Sequence, residues 1–173
     1  TEMVTSQDLH IAGQILDSFK SAVVAVNKWD LVPEADRNQR AMRRSILSRL
    51  RFMDYVPVCF TSALTGEGVT HLMQTAYSAH DEWNRKVSPR ELESVVMQAV
   101  AEHLPPKQGR SSMKIYRVKQ ESVGPPTFVF FCNNPHLMHF SYERYLENAL
   151  HRAFGFQGTH LRLEFRGRGK VHV

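Results

Sequence analysis

The run Ala22-Val23-Val24-Ala25-Val26, leading straight into Asn27-Lys28-Trp29-Asp30, limits the possible folds more than any other stretch of the chain. Five small or β-branched apolar residues without polar alternation read as a strand buried on both faces of a parallel sheet. A second run of the same character, Val56-Pro57-Val58-Cys59-Phe60, ends in Thr61-Ser62-Ala63-Leu64-Thr65-Gly66. Helical periodicity surrounds both. Residues 5–20 carry a stripe of Leu9, Ile11, Ala12, Ile15, Leu16 and Phe19, and a helix running to about Arg51 turns Met42, Ile46, Leu47 and Leu50 to one side. The arginines of that second helix, Arg40, Arg43, Arg44, Arg49 and Arg51, read as its solvated face. Val69, Leu72, Met73 and Ala76 begin a third helix, continuing toward Trp83. Helix-strand-helix-strand-helix is the alternation of a doubly wound α/β sheet.

In such sheets ligands sit beyond the carboxyl ends of the strands, where Asn27, Lys28 and Asp30 fall. An ionised Asp30 accepts hydrogen bonds from two adjacent N–H donors. Guanine offers that pair in N1–H and its exocyclic amino group; adenine does not. The Lys28 stem can lie along a base while its ammonium stays in water, and Asn27 can donate and accept at once. At the second strand tip, the backbone N–H after Ser62 can donate to a carbonyl such as guanine O6. Ala63 permits close approach there, Ser62 braces the turn, and Leu64 completes the pocket. The plainer reading of Asn and Asp after a strand is a simple turn. Both motifs in this order resemble the guanine-specificity half of P-loop GTPases.

The chain has 173 residues, 42% hydrophobic and 23% charged, which is ordinary for a packed domain or two small ones. Cys59 and Cys132 sit in apolar runs and read as buried free thiols in a reducing cytosol. No His or Cys spacing suggests a metal site, no metal ligand is expected, and no apolar run reaches the length of a membrane span. Residues 1–87 hold ten Lys/Arg against ten Asp/Glu, and residues 88–173 hold twelve against seven, so the formal +5 falls in the second half. That asymmetry suggests two modules, 1–87 and 88–173.

In the second module, Ser88-Pro89-Arg90-Glu91 reads as a helix start with a capping box. Lys107-Gln108-Gly109-Arg110-Ser111-Ser112 reads as a mobile basic loop. A strand over residues 113–120 should place Lys114, Tyr116 and Val118 on one face, with Ile115, Arg117 and Lys119 on the other. Residues 127–132 form a core strand, Ser141 caps a helix that Gly155 ends, and residues 160–166 form a last strand. Tyr116, Phe128, Phe130 and Phe131 read as core. The result is a small α+β domain, a three-stranded sheet with helices on one face, as in KH-type domains. Gly155-Phe156-Gln157-Gly158 follows a helix and lacks basic middle residues, so it reads as a cap and turn, not a phosphate clamp. Lys107, Arg110, Lys114, Arg117, Lys119, Arg162, Arg166, Arg168 and Lys170 are the candidates for phosphate contact; an ordinary solvated basic surface is the alternative.

The guanine motifs, with Pro125-Pro126-Thr127-Phe128-Val129-Phe130-Phe131, Phe140-Ser141-Tyr142-Glu143-Arg144-Tyr145-Leu146-Glu147-Asn148 and Ala153-Phe154-Gly155-Phe156-Gln157-Gly158-Thr159, resemble the Der (EngA) family of bacterial tandem-G-domain GTPases. The resemblance covers essentially the whole chain. It implies two consecutive G domains followed by a KH-like domain, GTP hydrolysis with Mg²⁺, and a role in maturing the large ribosomal subunit, with the 88–173 module docking on ribosomal RNA or on the missing G domain. The chain departs by lacking a Gly-x-x-x-x-Gly-Lys-Ser/Thr phosphate loop and an Asp-x-x-Gly switch. It is therefore read as the trailing half of the second G domain plus the KH-like domain, with no catalytic residue of its own and a missing N-terminal G domain as a further partner. Two rivals stand: a stand-alone RNA- or protein-binding module with a scaffold in front, and a nucleotide domain of different base specificity.

Overall fold

In the computed structural model, which describes residues 4–105, 107–108 and 111–167 without the side chains of residues 107, 108 and 111, the two apolar runs pair in parallel. Strands β1 (Val24–Val26) and β2 (Val58–Phe60) match Val24 to Val58, Ala25 to Cys59 and Val26 to Phe60. The chain divides into two units, Thr1–Trp83 with Phe156–His160, and Asn84–Gly155 with Leu161–Val173.

In the first unit, helix α1 (Ser6–Asp17) starts on a complete capping box. The Thr5 hydroxyl accepts from Asp8 N–H, and the Asp8 carboxylate accepts from Thr5 N–H at 2.8 Å. Helix α2 (Gln39–Arg49) connects the two strands, and α3 (Val69–Trp83) follows the second. The core gathers Trp29, Ile46, Leu50, Met53, Val56, Val58 and Phe60, with Leu9, Ala12 and Leu16 of α1 packed on it. Burial is uneven. All three β2 residues are buried, whereas Val24 and Val26 are only partly covered and Ala25 is exposed. A strand covered on both faces was expected here. Among the described residues β1 pairs only with β2, and a cavity of about 890 Å³ runs beside it, lined by Ile11, Ala12 and Ile15 of α1 and by Met42 and Ile46 of α2.

Residues 156–160 complete this unit from far along the sequence. Ala22 N–H donates to Gly158 O at 2.7 Å, and Gly158 N–H donates to Tyr55 O at 3.0 Å. Phe156 N–H donates to Glu82 Oε2 at 2.7 Å, and the buried Phe156 ring is fully enclosed. The Gly-x-x-Gly segment is thus a helix end and turn whose amides at 156 and 158 are engaged inside the protein. Gly158 has φ +74°, and an added Cβ would lie 2.7 Å from Ala22 O.

In the second unit, strands β5 (Ile115–Ser122), β6 (Thr127–Cys132) and β7 (Arg162–Gly167) form a sheet in that order, β5 antiparallel and β7 parallel to β6. Helix α4 (Pro89–Glu102) packs on β5 and on α5 (Phe140–Phe154). Leu92, Val96, Phe128, Phe130, Leu146 and Leu150 are buried between these elements. The tyrosines of α5 finish α4: Tyr142 Oη donates to His103 O at 2.7 Å and Tyr145 Oη to Ala99 O at 2.8 Å. Burial pushes the Tyr142 hydroxyl up to about 12.

Four local expectations change. The strict alternation along β5 fails because Tyr116 is an extra residue: Ile115 faces Cys132 and Arg117 faces Phe131. The buried positions are therefore Ile115 and Val118, three apart, while Tyr116 is 43% exposed and outside the core. Residues 107–108 and 111–112 are not plain loop, since β3 (Lys107–Gln108) and β4 (Ser111–Ser112) pair antiparallel. Ser88 makes no side-chain cap bond; α4 starts on the preset φ of Pro89, with Ser88 O accepting from Leu92 N–H. Helix α5 is capped two residues earlier than expected, by His139, whose Nδ1 accepts from Ser141 N–H.

Gly158→Ala forces a side chain into the left-handed region and against a backbone oxygen. It should destabilise the first unit by about 1–3 kcal/mol. Both tryptophans lie in that unit, so denaturant titration followed by tryptophan fluorescence measures the change.

Candidate functional site

Parallel pairing of β1 and β2 brings their two carboxyl-end loops side by side. The ladder continues past the strands: Thr61 N–H donates to Val26 O at 2.8 Å, and Trp29 N–H donates to Thr61 O at 3.0 Å. Trp29 anchors the first loop from beneath, 2% exposed and 4.5 Å from the Phe60 ring. With position 29 pinned inward, Asn27 and Lys28 remain exposed and Asp30 partly so.

Asn27 joins the loops directly. Its Oδ1 accepts from Ala63 N–H at 3.0 Å, a contact across 36 residues. The amide that sequence reasoning assigns to a base carbonyl is here the tie between the loops. Lys28 sits at φ 61°, ψ 35°, a left-handed conformation that a non-glycine residue adopts at some energetic cost and that clusters at functional loops. The Asp30 carboxylate carries no hydrogen bond or ion pair among the described residues, while Asp30 O accepts from Arg37 at 3.2 Å. Sequence reasoning missed Arg37, whose Nε also donates to Val32 O at 2.9 Å and so holds the strand exit.

The second loop is built around Ser62, fully buried. Its N–H donates to Glu67 O at 2.9 Å, its carbonyl accepts from Gly66 N–H at 2.9 Å, and its hydroxyl accepts from Thr65 N–H at 3.2 Å. Gly68 is required by this turn: at φ +71° an added Cβ would sit 2.1 Å from Phe60 O. Leu64 projects at the tip, 88% exposed. Asn27, Lys28, Asp30, Ser62, Ala63 and Leu64 therefore occupy one end of the two-stranded sheet, with the apolar cavity reaching Asn27 and Lys28 from the side.

Among the described residues, the basic side chains of the second unit are not all brought together in the same way. Arg110, Arg168, Lys170 and the Lys107 side chain lie outside the described residues. Lys114 stands just before β5, Arg117 and Lys119 along it, and Arg162 at the far end of β7 from Arg166. Two of these charges are balanced. Arg166 makes a two-pronged contact to Glu121 and a further one to Glu164, and Lys119 Nζ lies 2.9 Å from the same Glu121. Glu121 is itself the second extra residue of β5, between Gln120 opposite Phe128 and Ser122 opposite Thr127. Arg166 first, then Lys119, hold its carboxyl down at about 2.

Because the folded value lies below the ordinary 4.5, this group's contribution to stability is present above pH 4.5 and is lost as pH falls through about 2. Carboxyl NMR titration should find Glu121 ionised at pH 3, and Arg166→Ala should return it toward 4.5.

Comparison with known proteins supplies a frame for both ends of the chain. Residues 86–166 match the family described as KH-domain-like of EngA bacterial GTPase enzymes, C-terminal. A protein named GTPase Der from Moorella thermoacetica is 47% identical over 166 residues, covering 96% of this chain and 38% of the relative. Proteins of the same name from Thermomicrobium roseum and Clostridium botulinum are 44% and 43% identical, over 97% of this chain and 37% and 38% of their own lengths. The chain thus spans less than two fifths of the relatives it matches.

Proposed function

Because the chain belongs to the Der (EngA) family of bacterial GTPases, we propose that it carries the guanine-recognition half of a GTP-hydrolysing domain, followed by a KH-like domain that docks on ribosomal RNA during assembly of the large ribosomal subunit. The observation that carries this reading is the Asn27 Oδ1 to Ala63 N–H bond, which joins two strand-tip loops next to a carboxylate that has no partner among the described residues. Asp30 accepts from N1–H and the amino group of guanine, Lys28 covers the base with its stem, and Ser62, Ala63 and Leu64 close the other side. A base without that donor pair leaves the carboxylate unsatisfied, and discrimination follows.

The half-covered β1 and the cavity beside it support a larger domain in the parent protein, in which a further strand pairs with the open edge. That part also supplies the phosphate loop and switches, and with them Mg²⁺. Among the described residues no three His, Cys, Asp or Glu side chains are placed to hold a cation. Among the same residues no helix is long and apolar enough to cross a membrane. In the KH-like domain, Lys114 and Arg117 are exposed and outside the Glu121 network, and they lead the phosphate contacts.

In the complete parent protein, Asp30→Asn exchanges an acceptor for a donor. GDP affinity should fall about 10–100-fold, the equivalent of about 1.5–3 kcal/mol for a bond to a charged group, and xanthosine diphosphate should compete where it did not before. Fluorescent-nucleotide titration decides this; unchanged GDP affinity removes the guanine reading. The 173-residue chain by itself should release no phosphate from GTP in a colorimetric assay, since positioning and charge stabilisation of the phosphoryl group need the phosphate loop and Mg²⁺.

A further inference from the structure

Residues 1–87 have no net charge, but the zero conceals a separation. Arg37, Arg40, Arg43, Arg44, Arg49 and Arg51 fall within fifteen residues that contain no Asp or Glu, so the remainder of residues 1–87 carries four Lys/Arg against ten acids. The structure concentrates this further. All six arginines are exposed, while Ile46 and Leu50 of the same segment are buried and fix which side faces the core. Arg37, Arg40, Arg43 and Arg44 form no ion pair among the described residues. Where Arg37 and Arg43 are held, the acceptors are carbonyls, Val32 O, Asp30 O and Val58 O. Such bonds orient a guanidinium and leave its charge intact. Arg166 and Lys119 in the sheet face carboxylates instead.

From this we infer that the exposed face of α2 is a second RNA-docking surface, one that grips the phosphate backbone without reading bases. An 11-residue helix spans about 16 Å at 1.5 Å per residue, so Arg40 and Arg44 stand about 6 Å apart along it. One strand of a B-form DNA duplex advances about 3.4 Å per phosphate and an A-form RNA strand somewhat less, so the face meets several phosphates of one strand. Guanidinium groups suit this task because their planar forks bind phosphate oxygens in pairs. The chemistry of the face excludes the alternatives. Besides arginine it presents Gln39, Ala41, Ser45 and Ser48, with no exposed large apolar residue to enter a lipid surface or seed a protein interface. The surface differs from the KH-like one in unit, element and charge balance, so either can fail without the other.

The test uses the 173-residue chain with Arg40→Ala and Arg44→Ala combined, against a fluorescent RNA hairpin titrated between 50 and 200 mM KCl. The log–log salt slope should fall by about 1.5–2, near 0.9 per phosphate contact removed, and affinity at 100 mM should drop about tenfold or more with an unchanged melting temperature. Lys114→Ala with Arg117→Ala serves as the comparison for the KH-like surface. An unaltered slope in the α2 variant overturns the inference. So does a variant that loses binding to phosphatidylserine vesicles or to poly-glutamate while holding RNA as before.

Discussion

Everything at the carboxyl end of the two-stranded sheet depends on the parallel register of β1 and β2. Matching Val26 with Phe60 makes the two strands end level, so that their following loops emerge adjacent. The backbone ladder then runs on into the loops through Thr61 and Trp29, and Asn27 adds a side-chain bond to Ala63. A slip of one residue would turn Val58 and Phe60 out of the core and carry the two loops apart. Trp29 guards against that slip from below, because its ring packs against Phe60.

Elements whose pattern is self-contained were readable in advance. The periodicity of α1, α2, α3 and α4, the two apolar strands and the order of helix and strand in both units follow from side chains that report on their own neighbourhood. What the sequence hid was relational. The coverage of β1 depends on a neighbour, and the five apolar residues are indistinguishable from a strand that has one. The outward position of Tyr116 depends on a bulge, which shifts pairing without altering composition. The start of α5 depends on a ring nitrogen of His139 doing what a serine was expected to do. At the two strand-tip loops the residue types were legible, but the partner of the Ala63 amide was not, since Asn27 lies 36 residues away in sequence.

Net charge is similarly a poor guide to where electrostatic work is done. The second half holds the formal excess, yet some of its cations are spent on Glu121 and Glu164. The first half sums to zero and still presents an arginine face held open by carbonyl acceptors. Whether a charge is available depends on what its hydrogen bonds end on, and only three-dimensional contacts reveal that.

The turn at Gly158 has a consequence for the order of biosynthesis. Ala22 N–H and Tyr55 O wait for partners that leave the ribosome more than a hundred residues later. A nascent chain exposed only as far as residue 83 lacks these bonds, and they close only after residues 156–160 have emerged. A polypeptide cut short at Gly155 would inherit the same gap permanently, even though nearly every residue of its first unit is present.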